Sequence, residues 1–171
     1  AEILRVCFIG NGDSRRLDFL NQLAAKGLKI DLYGAYWKLS KLHDNIKLFP
    51  SKFGNDFIEC IQKYRVQLNL MRIHNPDSHN MRTFEIAGYG GLQLAPETED
   101  HAAFFKSNRD VFLFTSLDEC FEKAKYMLEL EKLQADEMRK NVQLVSDTKG
   151  YTYKNRTNQL LESLKEVFTA K

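Results

Sequence analysis

The sequence has no long apolar run and little excess charge of either sign. No stretch of about 18 consecutive apolar residues occurs, which is the length that a membrane-spanning helix requires. The 171 residues include 25 Lys and Arg against 23 Asp and Glu, a net charge of +2. This near balance differs from the strongly basic composition of a dedicated nucleic-acid binder. We therefore expect neither a membrane span nor a nucleic-acid partner.

Cysteine is also scarce, and its spacing argues against two classes of small scaffold. Cys7, Cys60 and Cys120 lie far apart in apolar surroundings and form no C-x-x-C pair. An odd number with this spacing argues against a disulfide framework and against a zinc site. Three buried free thiols are therefore expected.

Several catalytic and targeting signatures are missing as well. The chain has no G-x-S-x-G elbow and no phosphate-binding loop ending in G-K-[ST]. His74, Asp77 and His79 match no common metal-ligand spacing, so we expect no metal. The opening AEILRVCFIG has no basic region before its apolar part. We interpret it as a strand rather than a signal peptide, and we expect a cytoplasmic protein.

The residues that are present have the composition and periodicity of one globular domain, spanning 1–171. Apolar residues make up 43% and charged residues 28% of the chain. Short apolar runs predict strands, and apolar residues at helical spacing predict helices. The predicted strands are 4–10, 28–34, 47–49, 66–72, 91–95 and 110–115. The predicted helices are 14–27, 55–64, 79–89, 101–105, 116–130, 131–147 and 152–168. This alternation predicts an α/β fold, a parallel sheet with helices on both faces and ligands at the carboxyl ends of the strands.

The segment GNGDSRR (10–16) follows the first predicted strand. Gly10 and Gly12 match the start of a G-x-G-x-x-G dinucleotide fingerprint, but Arg15 replaces the third glycine and the second strand does not end in an acid. NAD binding is therefore disfavoured. The turn can still offer backbone N–H groups to a phosphate, and Arg15 and Arg16 can add charge-assisted hydrogen bonds. A tight turn carrying two surface arginines is the alternative.

The segment NMRTFEIAGYGGLQL (80–94) predicts the start of a helix with polar groups at its exposed end. Asp77 or Ser78 is expected to cap it. Arg82, in the first turn, can pair with a phosphate beside the free N–H groups. Glu85, one turn later, can accept hydrogen bonds from the two adjacent hydroxyls of a ribose. An ordinary capped helix with a surface glutamate is the alternative.

The single tryptophan, Trp37, follows the end of the second predicted strand. In that place it can stack on a base or a sugar of a ligand. It can equally be a half-buried packing residue, and both interpretations stay open.

Separate segments of the chain together resemble a known family. MRTFEIAGYGGLQLAPE (81–97), DVFLFTSLDECFEKAKYMLE (110–129) and YTYKNRTNQLLE (151–162) resemble the donor-binding domain of GT-B-fold glycosyltransferases. The branch that they resemble is the spore-maturation, or spore-coat, glycosyltransferase-like group. The segment 6–37 resembles the first strand–helix–strand unit of the same domain. The resemblance implies a Rossmann-like domain that forms one half of a GT-B fold.

The resemblance is carried by an Arg-Thr-Phe-Glu box and a late tyrosine–arginine element. The matching residues are Arg82, Thr83, Phe84, Glu85, Tyr151 or Tyr153, and Arg156. Enzymes of this fold often have two acids spaced E-x7-E, the second of which holds the ribose of the donor. Glu85 matches the second acid, whereas Asp77 stands where the first Glu is expected. Retention or inversion at the anomeric carbon therefore stays open.

The resemblance implies that the substrate is a nucleotide diphosphate-sugar and that neither a metal nor a cofactor is bound. Glu85 would hold the ribose, and Arg15 or Arg16 would contact the diphosphate. The implied donor-binding residues are Gly10, Asn11, Arg15, Arg16, His79, Asn80, Arg82, Thr83, Phe84 and Glu85, with Asp77, Trp37 and Arg156 as further candidates.

The resemblance also implies that this chain is one half of an enzyme. We expect the C-terminal half of a longer hexosyltransferase, inactive without an N-terminal acceptor-binding domain. The catalytic base would lie on that other half, so no catalytic residue is assigned here. A non-catalytic nucleotide- or protein-binding module is the alternative. The last helix, 153–168, is expected to expose an apolar stripe and to promote self-association.

Overall fold

Six short apolar strands form one parallel sheet. They are seen in a computed structural model, which describes residues 1–169 apart from the side chain of Ser40. The strands are β1 (Ile3–Ile9), β2 (Ile30–Tyr33), β3 (Ile46–Phe49), β4 (Tyr64–Leu68), β5 (Gln93–Pro96) and β6 (Phe112–Phe114). They pair in the order β3-β2-β1-β4-β5-β6, with every neighbouring pair parallel. The predicted α/β fold with a parallel sheet is confirmed.

The strands alternate with helices, as the change of apolar period predicts. In the described part of the chain the α-helices are α1 (Ser14–Ala25), α2 (Gly54–Lys63), α3 (Met81–Gly88), α4 (Glu99–Phe104), α5 (Leu117–Glu129), α6 (Lys132–Thr148) and α7 (Tyr153–Thr169), with a 3-10 turn at Leu39–Lys41. Asp13 caps α1 by accepting a hydrogen bond from the backbone N–H of Arg16. None of these helices is both long and apolar enough to cross a membrane.

Helices cover both faces of the sheet because each strand buries alternate side chains on opposite sides. Phe8 of β1 packs in a core with Leu20 of α1 and Ala124 of α5. Its neighbour Ile9 packs on the other side in a core that includes Ile61 of α2 and Ile86 of α3. A third cluster joins α3, α6 and the ends of β5 and β6. The sheet is therefore buried on both faces, and ligands can approach it at the ends of its strands.

The start of α3 differs from the sequence prediction. The N-cap is Asn80 and not Asp77 or Ser78, and the helix begins at Met81. The Asn80 side chain accepts from the Thr83 backbone N–H, and the Thr83 hydroxyl accepts from the Asn80 backbone N–H. This reciprocal pair is a capping box, which satisfies two backbone donors at once. Asp77 lies exposed in the loop that precedes it.

Two other boundaries moved for identifiable reasons. The strand predicted at 66–72 is Tyr64–Leu68, because the chain leaves the sheet at Asn69, whose side chain bonds to Asn80 and Thr83. The helix predicted at 101–105 is Glu99–Phe104, because Thr98 provides its cap. As a result, the polar side chains of Asn69 and Thr98 lie near the end of the sheet where α3 begins.

The last helix, α7, lies on the surface, and none of its residues is buried. Its large apolar side chains follow a helical stripe and are 43% to 75% exposed. They are Leu160, Leu161, Leu164, Val167 and Phe168. The predicted exposed stripe is confirmed, and self-association through it stays a prediction.

Candidate functional site

A cleft of about 400 Å³ opens at the carboxyl ends of the central strands. The strand order reverses there, because β2 lies on one side of β1 and β4 lies on the other. In open parallel sheets this reversal creates the crevice in which ligands bind. One wall is Gly10 and Asn11 after β1, a second is 51–53 after β3, and a third is 80–82 at the start of α3.

The floor of the cleft depends on a close approach between the ends of β1 and β2. Gly34 has φ of +154°, and a Cβ there would lie 2.0 Å from the Gly10 carbonyl oxygen. Only glycine fits this place. Trp37 donates from Nε1 to the same carbonyl at 3.0 Å and packs edge-on against Phe8. Its indole is thus held in the wall beneath the loop, and Trp37 does not line the cleft.

The two arginines after β1 take different places. Arg16 is buried, at 7% exposure, and lines the cleft. It donates to the carbonyls of Leu70 at 2.6 Å, Met71 at 3.3 Å and Asn11 at 3.1 Å. Burial lowers the pKa of Arg16, yet a guanidinium stays protonated in proteins. Arg16 therefore ties the loop after β1 to the loop after β4, whereas Arg15 is exposed on α1 outside the cleft.

The start of α3 is fixed by a chain of buried polar groups. Asn80 donates from Nδ2 to Asn69 Oδ1 at 2.9 Å, and Thr83 is fully buried beside it. The His101 ring donates from Nδ1 to the Pro96 carbonyl at 2.8 Å, so its Nε2 accepts from the Thr83 hydroxyl at 2.9 Å. Burial lowers the pKa of His101, which favours this neutral form. These bonds anchor the helix start to β4 and β5, and Thr83 lies beneath the cleft rather than in it.

Arg82 and Glu85, the outer residues of the box, form an ion pair, but only Arg82 lines the cleft. Arg82 lines the cleft, donates to the Ile9 carbonyl at 3.4 Å and lies over the Phe57 ring at 4.2 Å. Its Nη1 forms an ion pair with the Glu85 carboxylate. The pair is partly exposed, so both groups remain within reach of a ligand.

The remaining predicted residues lie on the other side of α3. A groove of about 530 Å³ runs between α3 and the start of α7, and it shares Asn80 and Met81 with the cleft. We call it the aromatic groove. It is lined by His79, Asn80, Met81, Phe84, Glu85, Gly88, Tyr89, Asp147, Tyr151, Thr152, Tyr153 and Arg156. Phe84 and Arg156 are thus separated from Gly10 and Asn11, and exposed Asp77 lines neither hollow.

Several residues that line the cleft were not among the predicted site residues, including Lys52, Phe53 and Arg72. Lys52 and the 79% exposed Phe53 follow β3, and Arg72 follows β4. Their signal was their position just after an apolar run, where carboxyl strand ends place ligand-binding loops. The short run 47–49 gave too weak a strand to draw attention to 51–53. His101 and Asn69 were missed because their contacts come from distant parts of the chain.

The charge lining the cleft has one sign. Its charged residues are Arg16, Lys52, Arg72 and Arg82, and no Asp or Glu of the described chain is among its lining residues. The free backbone N–H groups at the start of α3 add partial positive charge. This combination favours an anionic ligand, and a helix start with arginine suits phosphate in particular.

Solved structures that superimpose on this chain include glycosyltransferases. A glycosyltransferase from Rickettsia africae ESF-5 superimposes with a TM-score of 0.80 at 11% identity, covering 100% of this chain and 49% of that one. Anabaena HepE in complex with UDP-glucose superimposes with a TM-score of 0.74 at 12% identity, covering 95% of this chain and 49% of that one. A T4 phage BGT mutant in complex with UDP-glucose superimposes with a TM-score of 0.71 at 14% identity, covering 96% of this chain and 48% of that one. At these identities the likeness concerns the fold alone, the GT-B type of Rossmann-like domain.

The chain spans between about a third and a half of the length of such solved structures. No curated protein matches the sequence. The model of the family described as "Glycosyl transferase-like" matches residues 15–162, which is most of the chain. The chain therefore belongs to the glycosyl transferase-like family.

Proposed function

We propose that this chain is the donor-binding domain of a glycosyltransferase and that its cleft holds the nucleoside diphosphate part of a nucleotide-sugar. One observation carries the proposal. Arg82 lines the same cleft as Gly10 and Asn11, and it forms an ion pair with Glu85, which lines the adjoining aromatic groove. A module that served only as a scaffold would not need these groups to converge.

The diphosphate would lie at the start of α3. Arg82 would give two N–H groups to phosphate oxygens, and the helix N-terminus would add backbone donors. Arg16, whose own donors are bonded to carbonyls, would contribute fixed positive charge from beneath the loop. These groups stabilise the charge that develops on a departing nucleoside diphosphate. No metal ion is needed for this role in the proposal.

The nucleoside would extend from Arg82 towards the loop after β3. Glu85 would accept hydrogen bonds from the ribose hydroxyls, with its carboxylate oriented by Arg82. Phe53, which is 79% exposed beside Lys52, would cover one side of the base. His79, Asn80, Thr83 and Phe84 would act by shaping the helix start rather than by contacting the base.

The proposal also covers the nucleotide, the transferred sugar and the longer enzyme to which the chain would belong. Two structural neighbours are solved with UDP-glucose, so uridine nucleotides and hexosyl transfer are the first choice here. We place the chain in the C-terminal half of a longer, cytoplasmic enzyme similar to spore-maturation glycosyltransferases. Among the described residues, the cleft contains groups that would bind the donor but none that is assigned as the catalytic base. Turnover would therefore require a second, acceptor-binding domain.

A calorimetric titration tests the proposal. The purified chain is titrated with UDP, GDP, ADP, CMP and NAD, and the best ligand is repeated with Glu85→Ala. We expect selective binding of one nucleoside diphosphate, with a Kd between about 1 μM and 1 mM. Glu85→Ala should weaken it by about tenfold, because hydrogen bonds to a charged group are lost. Exposed Glu122 provides the matched control, Glu122→Ala, which should bind as the wild type does.

Two outcomes would contradict the donor-domain proposal. If Glu85→Ala and Glu122→Ala bound the nucleotide equally, Glu85 would not hold the ribose. If the wild type bound no nucleoside diphosphate at millimolar concentration, a non-catalytic module would be the better description of this chain.

A further inference from the structure

An aromatic ring from another helix lies beneath Arg82. Phe57 is on α2, and the guanidinium carbon of Arg82 lies over its ring, 4.2 Å from the centroid. Arg16, by comparison, lies 5.5 Å from the centroid of the Phe8 ring. A guanidinium is attracted to the face of an aromatic ring because that face is partly negative, and the attraction grows where water is excluded. Phe57 is 8% exposed, so water is largely excluded from the ring side of this contact.

The Phe57 ring is itself held in place. It packs in the same core as Ile9 of β1 and Ile86 of α3. Tyr89 meets it edge-on, with the ring centroids 6.3 Å apart and the ring planes at 86°. The Phe57 backbone N–H donates to the Phe53 carbonyl at 3.4 Å, one turn earlier in the chain. The ring is therefore a fixed surface, and the first turn of α2 connects it to the wall of the cleft.

The polar contacts of the Arg82 side chain depend more on solvent than its contact with the ring does. Its Nε donates to the Ile9 carbonyl at 3.4 Å, which is long for a hydrogen bond. Its ion pair with Glu85 joins side chains that are 31% and 22% exposed, so water and salt screen the attraction. The buried ring is the contact that solvent screens least.

The ring also leaves hydrogen-bond donors of Arg82 available. A guanidinium has five N–H groups, and its contact with the ring requires no acceptor atom. Nε and Nη1 bond to Ile9 and Glu85, whereas Nη2 has no hydrogen-bond partner within residues 1–169. Arg82 lines the cleft, but Phe57 does not. An anion in the cleft can therefore accept hydrogen bonds from Nη2 while the ring stays beneath the guanidinium.

We propose that Phe57 is a positioning residue of the donor site and holds the Arg82 guanidinium where the diphosphate would bind. The ring acts through Arg82 and does not contact the nucleotide. A guanidinium that is fixed before the ligand arrives loses less conformational freedom on binding. The inference rests on the proposed function, because it requires a nucleoside diphosphate beside Nη2. A ring that only fills the core is the alternative.

A double-mutant cycle in nucleotide affinity distinguishes the two roles. Calorimetry compares the wild type, Phe57→Leu, Arg82→Ala and the chain with both changes, using whichever of UDP, GDP and ADP binds best. We expect Phe57→Leu to weaken binding by about fivefold, because leucine is apolar but has no aromatic face. It should cause no further loss in the Arg82→Ala chain. Phe57→Tyr, which keeps the ring, should retain most of the affinity.

A matched control removes a ring elsewhere. Phe19 of α1 stacks on Phe114, with centroids 5.7 Å apart, and packs against the core on the opposite face of the sheet. Phe19→Leu should leave nucleotide affinity unchanged. Urea unfolding of each variant reports the loss of packing separately from the loss of affinity.

A second measurement requires no change at Phe57. The side-chain NMR signals of Arg82, identified by their absence in Arg82→Lys, should be shifted upfield in the free wild type, because they arise over the face of a ring. Ordinary arginine shifts would overturn the inference, even if Phe57→Leu failed to fold.

The cycle separates the failure of this inference from the failure of the proposed function. If Phe57→Leu bound the nucleotide as the wild type does, or weakened the Arg82→Ala chain by the same factor as the wild type, Phe57 would be a packing residue only. The proposed function would stand in both cases if Arg82→Ala still weakened binding. If the wild type bound none of the three nucleotides, both would be overturned.

Discussion

The Arg82 guanidinium, which lines the cleft, and the Glu85 carboxylate form an ion pair across one turn of α3. Their side chains are 31% and 22% exposed, so the pair contributes little to folding stability. Its consequence is geometric. Arg82 lies over the Phe57 ring and lines the cleft, and the ion pair holds the Glu85 carboxylate beside its guanidinium. A diphosphate and a ribose, joined in one nucleotide, match that arrangement.

Replacing Arg82 should weaken nucleotide binding more than replacing any exposed arginine. Arg82→Ala removes charge-assisted hydrogen bonds to phosphate, so we expect UDP affinity to fall by about tenfold or more. Arg82→Lys should recover only part of it, because an ammonium group cannot give two parallel hydrogen bonds. Arg15→Ala has the same charge change outside the cleft and serves as control in calorimetry. Equal losses in Arg15→Ala and Arg82→Ala would mean that general charge alone attracts the nucleotide.

Thr83 should prove to be a stability residue. Thr83→Val keeps the shape but removes the hydroxyl that bonds to His101, Asn69 and the Asn80 backbone N–H. Buried partners would be left unsatisfied, so we expect a loss of about 1–3 kcal/mol in the free energy of unfolding. Urea unfolding measures it, with exposed Thr157→Val as the matched control. A Thr83→Val chain as stable as that control would contradict the buried hydrogen-bond chain.

The stability of the protein should depend on pH through His101. Burial lowers its pKa in the folded state below the ordinary value of 6.5, so the unfolded chain binds the proton more readily. The free energy of unfolding should therefore decrease as pH falls through about 6.5, and level off below the folded pKa. Asp100, with its lowered pKa, loses its own contribution only below an ordinary value of 3.8, outside this window.

Urea unfolding between about pH 7.5 and pH 5 measures this slope. His101→Gln should lower stability at all pH values and reduce the slope, whereas exposed His74→Gln should keep it. A slope that is the same in all three proteins would show that His101 does not cause it.

The exposed stripe on α7 should make the isolated chain associate at high concentration. Exposed apolar patches are buried by contact with another surface. We expect sedimentation coefficients to rise with concentration, and Leu160→Glu with Leu164→Glu to abolish the rise. Lys154→Glu changes charge on the same helix without touching the stripe and is the control. A clean monomer at every concentration would contradict self-association.

Much of the fold could be predicted from local patterns. Runs such as LRVCFIG are apolar enough for strands buried on both faces, and the helices show helical spacing, so the parallel sheet follows. Even the difference between Arg15 and Arg16 had a local signal. Arg16 precedes Leu20 and Leu23 by four and seven residues and therefore lies on the buried face of α1.

The parts that could not be predicted depend on contacts between distant segments. Asp77, Ser78 and Asn80 are all good caps, and Asn80 prevails because Asn69, outside the helix, bonds to its side chain. The place of Lys52 and Phe53 in the cleft follows from the pairing of β3 with β2, which no local pattern specifies. The helix α3 lies between the cleft and α7. This position decides whether a residue of the Arg-Thr-Phe-Glu box faces the cleft or the aromatic groove. The sequence alone therefore grouped residues that the fold separates.

The central claim is that the cleft holds a nucleoside diphosphate, and amide chemical-shift mapping with UDP tests it most directly. The labelled chain is titrated with UDP, with GDP and ADP for comparison, up to about 10 mM. The account predicts saturating shifts concentrated at 10–12, 51–53 and 80–82. Shifts confined to other parts of the surface, or none with any of the three nucleotides, would contradict it.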